Sequence, residues 1–105
     1  MRPHVAIMPG TTPIICFYLP FEFDVVAEMW FTVSQRNTEL FTKSKNEVDV
    51  EGSKVIVRLS QEETLRLNPS QKADIQVRFR TTGGDALASQ VVTLEVDKIL
   101  KGGVI

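Results

Sequence analysis

Residues able to do covalent or acid–base chemistry are scarce in this chain. A thiol nucleophile needs a base within hydrogen-bond reach, and the sequence offers one cysteine, Cys16, and one histidine, His4. His4 stands in a Pro-containing N-terminal stretch and Cys16 inside an apolar run, so a packed cysteine is expected rather than a Cys-His enzyme. Glu47, Asp49 and Glu51 stand at i, i+2 and i+4, and on one extended strand their carboxylates would line up about 7 Å apart. Calcium takes a loop that wraps the ion and adds carbonyl oxygens, whereas a straight row suits a solvated edge that resists mispairing. Glu22, Asp24, Glu62 and Glu63 could supply the two carboxylates of a glycosidase, but adjacent Glu62 and Glu63 are what a helix start prefers. No catalytic, cofactor-binding or metal site is expected.

Binding chemistry has more to work with. Arg78 and Arg80, with Lys54 and Arg58 on a neighbouring strand, could form a basic stripe on one sheet face. That stripe lacks the interleaved exposed aromatics of single-strand nucleic-acid binders. The 12 basic against 13 acidic residues leave a formal charge of −1, so phosphate backbones and anionic lipid are not expected partners. Gly83-Gly84 links two strands and Gly102-Gly103 comes late, so no phosphate loop is read. The basic stripe is expected to be a solvated face or to meet Glu47, Asp49 and Glu51 of another subunit across an interface. Tyr18 and Trp30 are the candidate aromatic platform for a ligand. The ordinary alternative for Trp30 is packing at a sheet edge or under a loop.

The elements that must position these residues lean toward sheet, with 13 Val, 7 Ile and 9 Thr against 5 Ala and 8 Leu, because β-branched side chains suit a pleated surface. A first strand is expected over 14–19, turning Ile15, Phe17 and Leu19 inward. Pro20 ends it. A corner or single helical turn follows over 21–26, with Asp24 as its cap, then a strand over 27–34 with Met29, Phe31 and Val33 on its inner face. Gln35-Arg36-Asn37 turns the chain into a return strand over 39–44. A second hairpin is expected over 47–59, pivoting at Gly52-Ser53, with Val55, Val57 and Leu59 inward. Ser60-Gln61-Glu62-Glu63 spells a capping box. One helical turn then follows, anchored by Leu65 and Leu67 and stopped by Asn68-Pro69-Ser70. Ile75, Val77 and Phe79 face inward from a strand over 74–80, and after a turn at Thr82-Gly83-Gly84-Asp85 a last long strand runs over 87–96.

The sum is an all-β immunoglobulin-like antiparallel sandwich of six or seven strands with one short helical turn. The expected organisation is an N-terminal arm over 1–13, a sandwich domain over 14–100, and a tail over 101–105. Met8 is expected to be the natural start, which makes residues 1–7 an upstream extension. Neither a signal peptide nor a transmembrane run is read, so the chain is expected to be made and kept inside a cell or inside something assembled there. Gly102-Gly103 is expected to free Val104 and Ile105, which with the Pro9–Pro13 arm are candidate docking segments.

Short motifs run along most of the chain from Met8 to Ile105. They are Met8-Pro9-Gly10-Thr11-Thr12-Pro13, Leu19-Pro20-Phe21, Ser34-Gln35, Leu59-Ser60-Gln61-Glu62-Glu63-Thr64-Leu65, Gln76-Val77-Arg78, Ala88-Ser89 and Leu100-Lys101-Gly102-Gly103-Val104-Ile105. On these the chain resembles a family of small proteins encoded in tailed phages and prophages of Firmicutes. The residues before Met8 and the Cys16-Phe17-Tyr18 strand depart from the family pattern. The resemblance implies a non-enzymatic structural or accessory protein of the tail or baseplate, which contacts copies of itself and other phage structural proteins. It transfers no catalytic residue. The alternative is a carbohydrate- or host-surface-binding sandwich, which needs Tyr18 and Trp30 exposed.

Overall fold

The computed structural model describes residues 6–89 and 91–105. His4 lies outside the described residues, and so does most of the expected upstream extension. Among the described residues the chain forms nine strands: β1 (Ala6–Ile7), β2 (Ile14–Tyr18), β3 (Val26–Gln35), β4 (Thr38–Ser44), β5 (Asp49–Glu51), β6 (Lys54–Arg58), β7 (Ala73–Thr81), β8 (Ala86–Ala88) and β9 (Val92–Val96). A single α-helical turn, α1 (Gln61–Thr64), links β6 to β7, and 3-10 turns occupy Phe23–Val25 and Lys45–Glu47. One sheet runs β1-β9-β7-β3-β4 with β8 also on β7, and the other runs β2-β6-β5. All pairings are antiparallel except β1 on β9.

Alternation decides what is inside. Met29, Phe31 and Val33 of β3, Val55 and Val57 of β6, and Ile75, Val77 and Phe79 of β7 are all buried, and Leu59 just after β6 joins them. The ring of Phe17 on β2 stacks against that of Phe31, 6.4 Å apart, and Phe21 meets Phe79 edge-on at 5.5 Å. These contacts hold the two sheets together as one sandwich.

Turn chemistry sets the hairpin registers. Arg36 and Asn37 both take positive φ, 49° and 63°, as a two-residue type I′ loop demands. Gly52 opens the β5–β6 loop at φ 64°. At Ser60 the capping box forms as expected: Glu63 N–H donates to Ser60 Oγ at 3.1 Å and Ser60 N–H donates to Glu63 Oε1 at 2.9 Å. Leu67 anchors the turn, but Leu65 is only half-buried. The fully buried Thr64 does the rest, donating its hydroxyl to the Thr11 carbonyl at 2.8 Å.

Several expectations are corrected. The sheet begins before residue 14, because Ala6 and Ile7 pair with Glu95 and Val96, and Ile7 is buried. Asp24 is not a cap: Glu22 holds that position with no side-chain bond, and Asp24 sits inside the turn. The last long strand is broken in two. Leu87 pairs with Phe79 and Val92 with Ile75, so one extra residue separates the two registers. Ser89 accounts for the break, since its Oγ accepts the Val77 N–H at 3.0 Å in place of a main-chain carbonyl and leaves a bulge. The tail is not free either: Ile105 N–H donates to Gln61 Oε1 at 2.7 Å and Gln61 Nε2 donates to the Ile105 main-chain oxygen at 3.1 Å.

Candidate functional site

Residues Ile14-Ile15-Cys16-Phe17-Tyr18 lie between Pro13 and Pro20 and carry no charge. Ile15 and Phe17 turn inward, and Ile14, Cys16 and Tyr18 turn out. β2 pairs with β6 on one side only and is the edge of its sheet. Leu59 N–H donates to the Pro13 carbonyl at 3.0 Å, and Leu19 N–H donates to the Ser53 carbonyl at 2.9 Å. With the Ile15↔Val57 and Phe17↔Val55 register, the main-chain groups of Ile15 and Phe17 therefore face β6. Those of Ile14, Cys16 and Tyr18 point away from it, along the open edge.

Beside that edge the other sheet continues through β8, β9 and β1, so its inner face is only partly covered. Leu87 stands opposite the buried Phe79 and Val92 opposite the buried Ile75, which puts both on the inner face. Yet Leu87 is 43% and Val92 54% exposed. The result is an apolar groove of about 750 Å³, walled by β2 and floored by β7, β8 and β9, with no charged residue in its lining. Most edge strands carry a charge, a proline or a bulge that blocks pairing. β2 has none of these within its five residues.

The residues singled out from sequence do not assemble as expected. Glu47 leaves the acidic row because it ends a 3-10 turn, where its Oε1 accepts from Ser44 N–H and Ser44 Oγ, each at 3.0 Å. Those bonds, the main-chain one first, hold its carboxyl below the usual range. Asp49 and Glu51 remain on β5, where Asp49 pairs with Arg58 Nε at 3.1 Å and Glu51 stands opposite Lys54. Both acids thus have basic neighbours in their own sheet. Arg78 and Arg80 belong to the other sheet, opposite Trp30 and Glu28, so they share no stripe with Lys54 and Arg58.

Tyr18 and Trp30 are both exposed, at 71% and 41%. Their chain neighbours Phe17 and Phe31 stack inside the sandwich, so the two aromatics point from opposite outer faces. They cannot grip one ring between them. Val104 and Ile105 are exposed, with the Ile105 backbone clamped by Gln61. No group of three or more His, Cys, Asp or Glu among the described residues could hold a metal ion, and no described helix is long and apolar enough to cross a membrane.

Two polar positions escaped the sequence reading. Lys43 lies on β4 opposite the inward Phe31 and reaches Glu63 at 2.9 Å. Burial would raise the Glu63 pKa, but the Ser60 N–H and the Lys43 ammonium outweigh it and hold the carboxyl below its ordinary value. Gln35 is buried and ties down the segment after α1, donating to the Asn68 and Gln71 carbonyls at 2.9 and 3.0 Å and accepting from Asn68 N–H at 2.8 Å. A lysine in alternation with Phe41 was the one available signal for the first pair.

No protein-family model and no curated protein matches the chain. Among solved structures it is similar to the immunoglobulin-like domain of mouse leukocyte-associated immunoglobulin-like receptor 1, crystallised as a strand-swapped dimer. That likeness covers 90% of this chain and 88% of the mouse chain at TM-score 0.53 and 10% identity. A second match, to the V domain of amphioxus IgVJ-C2, covers 89% and 99% at TM-score 0.40 and 12% identity. The fold of this chain is an immunoglobulin-like β-sandwich.

Proposed function

We propose that this chain is a non-enzymatic contact module, a structural or assembly component of a phage or prophage particle that acts by binding other protein chains. The observation that carries the contact reading is the uncharged, unblocked edge of β2 beside inner-face side chains that remain exposed. An open strand edge offers unpaired backbone groups and is a ready template for another chain. The phage setting, in a tail or baseplate, rests on the motif resemblance. The mouse domain of similar fold was crystallised as a strand-swapped dimer, which lends support to self-association as one form of that contact. Virion components act in symmetric copies, so a homo-oligomer is expected.

Size-exclusion chromatography with light scattering on the full chain tests the assembly reading. Masses that rise in whole multiples of the monomer with concentration support it. A strict monomer at the highest attainable concentration contradicts self-association.

A further inference from the structure

We propose that the groove beside β2 is a docking slot for one extended, uncharged strand supplied by another protein chain. This rests on the contact-module reading and names its site. Backbone and side chains agree on the kind of occupant. Along the edge, Ile14, Cys16 and Tyr18 present alternating N–H and C=O groups over a strand of five residues, about 17 Å of extended chain. Beneath, Phe17, Leu87, Val92 and Leu94 offer an apolar floor and wall. A strand laid there would pair its backbone with β2 and turn alternate side chains down into the groove, which is how added strands gain affinity and specificity together.

Charge and shape narrow the choice further. The slot has no charged lining residue, and a buried charge without a partner is costly, so the inward residues of the guest must be apolar. The other edges differ: β4 carries Glu39 and Lys43, β5 carries Asp49 and Glu51, and the uncharged β1 and β8 span only two and three residues. The sheet under the slot continues through β9 to β1, so a strand laid along β2 would have that sheet to pack against.

The probe is a blocked Thr-Val-Thr-Val-Thr-Val peptide flanked by lysine pairs, titrated to about 1 mM into the 15N-labelled full chain. The expected result is amide-exchange slowing of about tenfold or more at Ile14, Cys16 and Tyr18, with Ile15 and Phe17 little changed because their amides already bond β6. The same peptide N-methylated at the amides that would face β2 should lose this effect. Val92→Glu, which alters the floor and leaves the β2–β6 ladder intact, should weaken binding about tenfold. No binding, equal binding by the N-methylated peptide, or dodecanoate filling the groove while the three amides stay unprotected in the peptide titration would overturn the slot. The two proposals fail separately. A chain that binds the peptide but stays monomeric in light scattering, and captures no other chain, keeps the slot and loses the assembly reading. A chain that associates while those amides exchange freely does the reverse.

Discussion

Lys43 Nζ lies 2.9 Å from Glu63 Oε1, with the two side chains 11% and 20% exposed, and that same oxygen accepts the Ser60 N–H at 2.9 Å. One carboxylate therefore closes the capping box of α1 and neutralises an inward-facing lysine on β4. Removing it leaves a nearly buried ammonium without its counter-charge, which costs more than an exposed ion pair contributes.

Glu63→Gln is expected to lower stability by about 1–3 kcal/mol at neutral pH. Its pH dependence follows from the sign of the shift. The folded carboxyl titrates below its unfolded value, so its contribution is complete above about pH 4.3 and is lost as pH falls through the folded pKa. Urea melts of both proteins at pH 7 and pH 3 should show the gap closing in acid. A gap that does not change with pH would contradict this account of the pair.

Thr64→Val keeps the shape of a fully buried side chain but removes the hydroxyl that donates to Thr11. The Thr11 carbonyl then loses its partner, and a loss of about 1–2 kcal/mol is expected with an unchanged denaturant slope. An unchanged urea midpoint would mean that the arm before β2 is held by other contacts.

Phe31 is fully buried while its stacking partner Phe17 is half-buried at the groove. Phe31→Ala should cost about 3–5 kcal/mol, and Phe17→Ala distinctly less, because solvent already reaches its ring. Chemical denaturation of the two variants checks the order, and the reverse order would deny that the groove is open.

Trp30 and Tyr18 face opposite sides of the sandwich. A sugar that stacks on Trp30 should quench its fluorescence and leave the Tyr18 resonances unmoved. Simultaneous perturbation of both rings by one small ligand would contradict the geometry.

Much of the frame was legible because its signals are local. The inward triplets Met29, Phe31, Val33 and Ile75, Val77, Phe79 follow from alternation, and the Ser60–Glu63 capping box from spacing alone. What escaped had either a competing local pattern or a distant partner. Glu47 alternates with Val48 as a strand residue would, but Ser44-Lys45-Asn46-Glu47 has the same spacing as the Ser60 box, and its bonds to Ser44 favour a 3-10 turn instead. Leu87 and Val92 fall in one stretch that reads as a single strand over 87–96, and the Ser89 bond to Val77 reveals a bulge between them. The candidate site was the least visible part. β2 reads as an ordinary core strand, and nothing local says which sheet ends beside it.

The most direct test of the central claim is amide hydrogen exchange on the full chain, compared between the dilute monomer and its assembled state. The account predicts that Ile14, Cys16 and Tyr18 exchange freely in the monomer and become protected on assembly, while Ile15 and Phe17 are protected in both. Assembly that leaves those three amides exposed would contradict it.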